Sequence, residues 1–326
     1  MKILVTGGAG FIGSNFVSRI FEDKLPGINS VSVLDKLTYA GLKENLPELS
    51  DEDGLKFIQG DVCDIQLTES LVSNVDAVVN FAAESHVDRS IGSAAEFVKT
   101  NTVGVQVLLD AIKSSKRNIR FLQVSTDEVY GSIESGSWDE DSPLLPNSPY
   151  SASKAGGELL ARAYHRTHGL DVVITRCSNN YGTHHFPEKL IPLFITNLLE
   201  GKKVPVYGSG KNVRDWLHVD DHCRGIHAAL MNGKSGEVYN IGGGRELTNL
   251  EITHLILEAM SADESSIEYV EDRKGHDLRY SVDWTKINRE LGYEPQVKFE
   301  DGLRDTIEWY RNNRAWWEPL KQRAGL

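Results

Sequence analysis

The chain is poor in cysteine: Cys63, Cys177 and Cys223 are its three, far apart and forming no C-x-x-C pair. That speaks against a disulfide framework and against a structural zinc site, and it suits a reducing cytoplasm. No apolar run approaches the length of a membrane span. Basic residues are outnumbered 47 to 35 by acidic ones, for a net charge of −12. This balance argues against nucleic acid or an anionic membrane as the main partner. Internal repeats, low-complexity tracts and flexible linkers are absent. Met1-Lys-Ile-Leu-Val opens directly on a strand pattern, so a leader is not expected and a cytoplasmic location is.

What is present is a rhythm. Apolar runs at 2–6, 30–35, 55–59, 76–81, 119–125 and 171–176 read as strands, and the segments 11–22, 94–113 and 151–168 between them read as helices. Strands this apolar are buried on both faces, so the expectation is an α/β chain with a Rossmann-type, doubly wound parallel sheet. After about residue 176 the rhythm weakens, and helical patterns recur at 218–231, 249–260, 284–291 and 299–313. We expect residues 1–176, with about 213–240, to form a dinucleotide-binding domain. Residues from about 177–212 and 241–326 should form a smaller, mainly helical substrate lobe over the carboxyl edge of the sheet.

Gly7-Gly-Ala-Gly10-Phe-Ile-Gly13 follows the first strand and opens a helix. Glycines there allow a tight turn and close backbone approach to a pyrophosphate at the positive end of the helix. Asp35 closes the second strand, where a carboxylate holds ribose hydroxyls and repels a 2′-phosphate, which favours NAD over NADP. Lys36 beside it could offset part of that repulsion. Asp61, after the third strand, is placed to approach the adenine or simply to sit in a solvated turn.

Tyr150 and Lys154 lie one helical turn apart after Pro149, a spacing at which an ammonium could lower the tyrosine pKa and ready it to take a hydroxyl proton. The spacing alone is cheap, because Tyr39 and Lys43 share it, as do Tyr207 and Lys211. Only Tyr150 opens a long helix after the strand carrying Ser125. That strand runs on into Thr126-Asp127-Glu128. One carboxyl could protonate a leaving hydroxyl while its neighbour removes a carbon-bound proton, provided the strand has ended, and nearby Gly131 favours a turn. Asp127 would have to stay protonated near neutral pH, which demands burial or a like-charged neighbour. His218 and His222, beside Asp220 and Asp221, invite a metal reading, but no further ligands are evident and no metal is expected.

With these residues in hand the chain resembles the extended short-chain dehydrogenase/reductase superfamily, and within it the dTDP-glucose 4,6-dehydratases. The resemblance runs nearly end to end. It is carried by Leu37-Thr-Tyr-Ala-Gly41, Asn80-Phe-Ala-Ala-Glu-Ser-His-Val-Asp-Arg-Ser90, Ser125-Thr-Asp-Glu-Val-Tyr-Gly131, Tyr150-Ser-Ala-Ser-Lys154, Ser178-Asn-Asn-Tyr-Gly182, Phe186-Pro-Glu-Lys-Leu-Ile-Pro192, Arg214-Asp-Trp-Leu-His-Val-Asp-Asp221 and Trp316-Trp-Glu-Pro-Leu320. It implies oxidation at C4 of the sugar by a tightly bound NAD+ regenerated each turnover, loss of water across C5 and C6, and hydride return to C6. Thr126, Asp127, Glu128, Tyr150 and Lys154 are the implied catalytic residues.

The resemblance places Gly7, Gly10, Phe11, Ile12, Gly13, Asp35, Lys36, Thr38, Asp61, Val62, Ala82, Ala83, Thr100, Ser125, Cys177 and Asn179 around the cofactor, together with Tyr150 and Lys154. It assigns Ser85, Glu188, Lys189, Pro205, Tyr207, Arg214, Asn249, Arg273, His276 and Tyr280 to the substrate, together with Asn179 and the catalytic Thr126, Asp127, Glu128 and Tyr150. It also implies a homodimer formed through the helices at 94–113 and 151–168. Leu42, and Thr183-His184-His185, depart from the family pattern without touching the proposed chemistry. The rivals are a nucleotide-sugar 4-epimerase, which has no use for Asp127, and a silent NAD-binding module, which would not need Tyr150, Lys154 or the acid pair.

Overall fold

The computed structural model describes residues 1–272 and 275–326. Its strands are β1 (Lys2–Thr6), β2 (Ser30–Asp35), β3 (Leu55–Gln59), β4 (Ala77–Asn80), β5 (Arg120–Thr126), β6 (Val172–Cys177), β7 (Asn179–Tyr181), β8 (Val204–Tyr207), β9 (Val213–His218), β10 (Val238–Ile241), β11 (Glu246–Thr248) and β12 (Ile267–Val270). Seven of them form one parallel sheet in the order β10-β6-β5-β4-β1-β2-β3. The chain reverses its direction of growth between β1 and β4, and in such sheets the crevice at that switch point is where ligands bind.

The period-two geometry of β1 builds both faces of the sheet. Ile3 and Val5 turn to one side and pack with Phe16, Val17 and Ile20 of the Phe11–Phe21 helix and with Cys223, Ile226 and Leu230 of the Val219–Asn232 helix. Leu4 turns to the other side, against Val105, Leu108, Leu109 and Ile112 of the Gly104–Ser115 helix. A third apolar cluster, from Tyr181 to Trp317, belongs to the C-terminal part. That part is rich in helices, and it also carries two small sheets, β11-β9-β7 and β12-β8. These strands are three to six residues long and pair over long sequence distances, so their pattern is too short to stand out. Trp317 is fully buried there, and the Trp316 indole donates to Asn45 Oδ1 at 2.8 Å.

The expected helix at 94–113 is interrupted. Ala95–Val98 and Gly104–Ser115 flank a π-helical turn at Lys99–Val103. Such bulges concentrate at functional sites. This one aims Asn101 at the Pro149–His168 helix, where its amide donates to Ser153 Oγ at 2.9 Å and to the Glu84 carbonyl at 3.0 Å. The two helices touch so closely that a Cβ on Gly157 would lie 2.2 Å from the Asn101 carbonyl oxygen.

Gly157→Ala should therefore lower stability although alanine is the better helix former. The intrinsic gain is about 1 kcal/mol, against roughly 1–3 kcal/mol for overpacking. Chemical denaturation that shows the alanine variant to be more stable would contradict the close contact.

Candidate active site

A cleft of about 650 Å³ opens at the carboxyl ends of the parallel strands and runs from the glycine-rich turn to the C-terminal part. At one end, Gly7 has a positive φ of 67°, and a Cβ on it would lie 2.6 Å from the Ala82 nitrogen. A Cβ on Gly13 would approach the Gly7 carbonyl oxygen to 2.4 Å. Only glycine permits this turn, and it leaves a cradle of backbone at the start of the Phe11–Phe21 helix, suited to a pyrophosphate.

Asp35 ends β2 buried, its Oδ2 accepting from Ala9 N at 2.9 Å and its Oδ1 from Leu37 N at 2.8 Å. Burial raises its pKa above the ordinary value, and the two amides pull it back. Lys36 pairs with Asp61 at 2.9 Å, so its charge is already engaged and offers little to a 2′-phosphate. Every residue expected around the cofactor lines this cleft, from Gly7 to Asn179. These groups fit a dinucleotide with free ribose hydroxyls.

Midway along the cleft the acid pair leaves its strand. Thr126 ends β5, and Asp127–Tyr130 form a single 3₁₀ turn capped by the Thr126 hydroxyl, which accepts from Glu128 N at 3.3 Å. Asp127 is 2 % exposed; one oxygen accepts from the Thr126 hydroxyl at 3.2 Å and the other is buried with no partner. Its pKa is held well above the carboxylate range by burial, then by the charges of Glu128 and Asp215, with Arg214 and the Thr126 hydroxyl opposing. Asp127 thus holds its proton more tightly than an ordinary carboxyl, with Glu128 partly exposed beside it.

Tyr150 and Lys154 project from the Pro149–His168 helix, whose start is fixed by a reciprocal Ser148/Ser151 cap and by Pro149 in the first turn. The expected lowering of the Tyr150 pKa by Lys154 is not what the structure shows. Burial, then the charge of Glu128, hold the phenol well above its ordinary pKa, and only the nearby Thr126 hydroxyl is a notable opposing influence. Lys154 instead donates to the Val124 carbonyl at 2.7 Å, and burial lowers its own pKa to about 8. Ser125 lines the cleft with its hydroxyl buried and unbonded.

Toward the C-terminal part the cleft is lined by Ser85, Asn179, Glu188, Lys189, Pro205, Tyr207, Arg214, Asn249 and His276. Arg214 is immobilised: it donates to the carbonyls of Val213 at 2.7 Å and Asp277 at 3.0 Å, and its guanidinium lies 4.4 Å from the Tyr280 ring centroid. Tyr280 itself does not line the cleft; its phenol donates to Asp277 Oδ2 at 2.5 Å and its ring supports Arg214. Arg273 lies outside the described residues. Glu188, expected at the substrate, is already bonded: its carboxylate accepts from the Tyr39 phenol at 2.8 Å and from Arg89 at 3.3 Å.

Tyr39, Arg89, His185 and Asp215 are the residues that reading the sequence passed over. Arg89 also covers the Tyr39 ring at 3.7 Å, and His185 stacks on Phe11 at 4.1 Å. Tyr39 and Arg89 sit inside the quoted motifs, but nothing local says that they meet Glu188. Asp215 lies inside the quoted Arg214–Asp221 motif, buried on β9. It accepts from Ser178 Oγ at 2.5 Å and from the amides of Gly243 and Arg245 at 2.9 Å. Among the described residues no group of three or more His, Cys, Asp or Glu is arranged to hold a metal. His222 Nδ1 instead meets Asn180 Oδ1 at 2.9 Å.

Comparison with known proteins adds the lineage. The family model described as GDP-mannose 4,6 dehydratase matches residues 4–306. The dTDP-glucose 4,6-dehydratase of Streptomyces niveus is 60% identical, covering 98% of this chain and 96% of the relative. The crystal structure of the dTDP-glucose 4,6-dehydratase of Streptomyces venezuelae, solved with NAD bound, superposes with a TM-score of 0.96 at 59% identity, over 98% of this chain and all of that one. That of the Bacillus anthracis dTDP-glucose 4,6-dehydratase in complex with NAD gives 0.91 at 46% identity, over 98% and 100%.

The state of Asp127 has a measurable sign. An aspartate whose pKa rises on folding contributes stability that is present below its ordinary value of 3.8 and is lost as pH climbs toward the folded value. Asp127→Asn removes this loss, so the variant's melting temperature should gain on the wild type as pH rises from acid to neutral. A gap that stays constant with pH would mean that Asp127 ionises normally.

Proposed function

This chain belongs to the dTDP-glucose 4,6-dehydratases of the extended short-chain dehydrogenase/reductase superfamily, and we propose how its residues divide the work of that reaction. The enzyme converts dTDP-glucose to dTDP-4-keto-6-deoxyglucose with NAD+ as cofactor. The observation that carries the assignment of roles is Asp127, buried and with its pKa held up by that burial, beside Glu128 and on the same cleft as Tyr150.

The glycine cradle, Asp35, Asp61 and Thr100 hold the cofactor, with Lys154 and Asn179 at its reacting end. NAD+ held there would supply the acceptor for the C4 hydride and the donor that returns it to C6, and its positive charge would favour the phenolate of Tyr150. Tyr150 removes the C4 hydroxyl proton while Thr126 holds that oxygen. The ketone at C4 then makes the C5 proton acidic, and Glu128 takes it. Asp127 gives its proton to the C6 hydroxyl, which departs as water. C5 is reprotonated as C6 is reduced, so no external oxidant is consumed. Arg214, rigid on Tyr280, binds the diphosphate, with Lys189, Asn249 and His276 along the nucleotide. An epimerase would need Tyr150 but would have no use for a buried acid at position 127.

We also propose a homodimer. Phe97, Val105, Leu108 and Leu109 are consumed by the core, whereas Val98, Val103 and Leu159 on the same helices are 47%, 42% and 52% exposed. A second copy would cover them. No helix among the described residues is long and apolar enough to cross a membrane, and three unpaired cysteines support a cytoplasmic setting. The division into a cofactor part, 1–176 with about 213–240, and a sugar-nucleotide part, about 177–212 and 241–326, is supported by the 219–232 helix packed on the large sheet. β9 lies in a small sheet, which moves that crossing toward residue 219.

Incubation of purified protein with dTDP-glucose and no added cofactor should yield a sugar nucleotide lighter by one water, detected by mass spectrometry, with NAD+ still carried by the protein. An unchanged mass with inverted C4 would install the epimerase reading. Leu159→Asp should shift the mass in light scattering from two chains to one; a variant that stays dimeric would place the interface elsewhere.

A further inference from the structure

Behind the cleft lies a buried ion pair that the chemistry above does not use. Arg176 on β6 and Glu158 on the Pro149–His168 helix are both fully buried. Arg176 Nε donates to the two oxygens of Glu158 at 3.1 Å each, and its Nη2 also bonds that carboxylate. The other arm of the guanidinium donates to the Tyr130 phenol oxygen at 2.5 Å and to the Glu140 carbonyl at 3.3 Å. The Tyr130 phenol in turn donates to Asn240 Oδ1 on β10 at 2.8 Å.

An ion pair this deep is poor evidence for stability, because desolvation cancels much of the attraction and apolar residues often serve as well. Its value has to be sought in what it fixes. Glu158 follows Tyr150 and Lys154 at intervals of four along one helix face. Tyr130 closes the 3₁₀ turn that holds Asp127 and Glu128. One planar guanidinium therefore joins the helix carrying the redox pair to the turn carrying the acid pair. Only arginine offers donors diverging in one rigid plane to reach both.

We propose that Arg176, Glu158 and Tyr130 are positioning residues for the elimination step, holding the Asp127–Glu128 turn at a fixed distance from Tyr150. The inference rests on the division of roles given above and deepens it. Loosening the turn side alone should spare C4 oxidation and slow water loss, so that reduced cofactor accumulates on the enzyme.

Tyr130→Phe deletes only the hydroxyl and leaves the ring, which stacks on Trp138 at 6.1 Å and beneath Arg176. The expected result is a kcat lower by roughly ten-fold or more, the scale of small misplacements in an active site, with KM for dTDP-glucose little changed. Near-ultraviolet absorbance of reduced nicotinamide should build up during turnover in the variant and not in the wild type. Arg176→Lys, which cannot hold Glu158 and Tyr130 together, should give the same signature if it folds. Hydrogen exchange by mass spectrometry should show faster exchange confined to peptides covering residues 126–131 of the Tyr130→Phe protein. Unchanged turnover overturns the proposal, and so does activity lost in step with melting temperature while the cofactor stays oxidised. The exchange measurement needs no substrate: if the wild type fails to dehydrate dTDP-glucose, the activity is refuted, and an unaltered turn in Tyr130→Phe still refutes the clamp.

Discussion

A strand turns successive side chains to opposite faces, so Asp127 and Glu128 cannot serve one substrate while β5 continues. The site depends on ending that strand after Thr126. The Thr126 hydroxyl caps the turn, and Gly131, at φ 81°, carries the chain out of it where a Cβ would meet the Leu145 carbonyl oxygen at 2.4 Å. The turn gives two chemically similar carboxyls different surroundings. Asp127 goes into the protein, where burial favours its protonated form, and Glu128 stays partly in contact with solvent. Environment, more than residue type, assigns the acid and the base.

The same local logic reconciles a chain of net charge −12 with an anionic substrate and an anionic cofactor. Several carboxylates that line or back the cleft are engaged: Asp61 by Lys36, Glu188 by Tyr39 and Arg89, Asp35 and Asp215 by backbone amides. Arg214 donates to the Val213 and Asp277 carbonyls and lies against the Tyr280 ring, contacts that orient the guanidinium. Pairing on one side and a fixed cation on the other shape the field where the phosphates must lie, and the global excess of acid is left to the solvated surface, where salt screens it.

Much of this was legible in the sequence because it is local. The glycine turn, Asp35, the Tyr150/Lys154 spacing and the acid pair each occupy a few adjacent residues, and the large sheet announces itself through apolar runs and helical periods. What escaped is what the tertiary fold brings together. The π-helical turn at Lys99–Val103 reads as helix because it lies inside a longer helical pattern; it bulges where Asn101 reaches across to Ser153. β10 completes the sheet from a four-residue run that sequence alone cannot tell from a loop. Glu188 looked like a substrate ligand within its motif, and only the fold brings to it Tyr39 from the turn after β2 and Arg89 from the Val87–Gly92 helix. The error over Tyr150 has the same origin. One helical turn of separation promises a lysine beside the phenol, but the Lys154 ammonium can reach the Val124 carbonyl and does.

The Arg176–Glu158 pair shows how far the demands of the cleft extend into the core. In the proposed division of roles Tyr150 and Glu128 act on neighbouring carbons of one sugar, yet they stand on elements that need not move together: a helix packed on one face of the sheet and a turn beyond the end of β5. Apolar packing alone, as between Val129, Tyr130 and Ala155, fixes volume well and direction poorly. A guanidinium bonded in its own plane to a helix and to a turn fixes direction. Burying two charges costs desolvation that a hydrophobic substitute would avoid, so their retention in the core is explained by geometry, the one property that such a substitute could not supply.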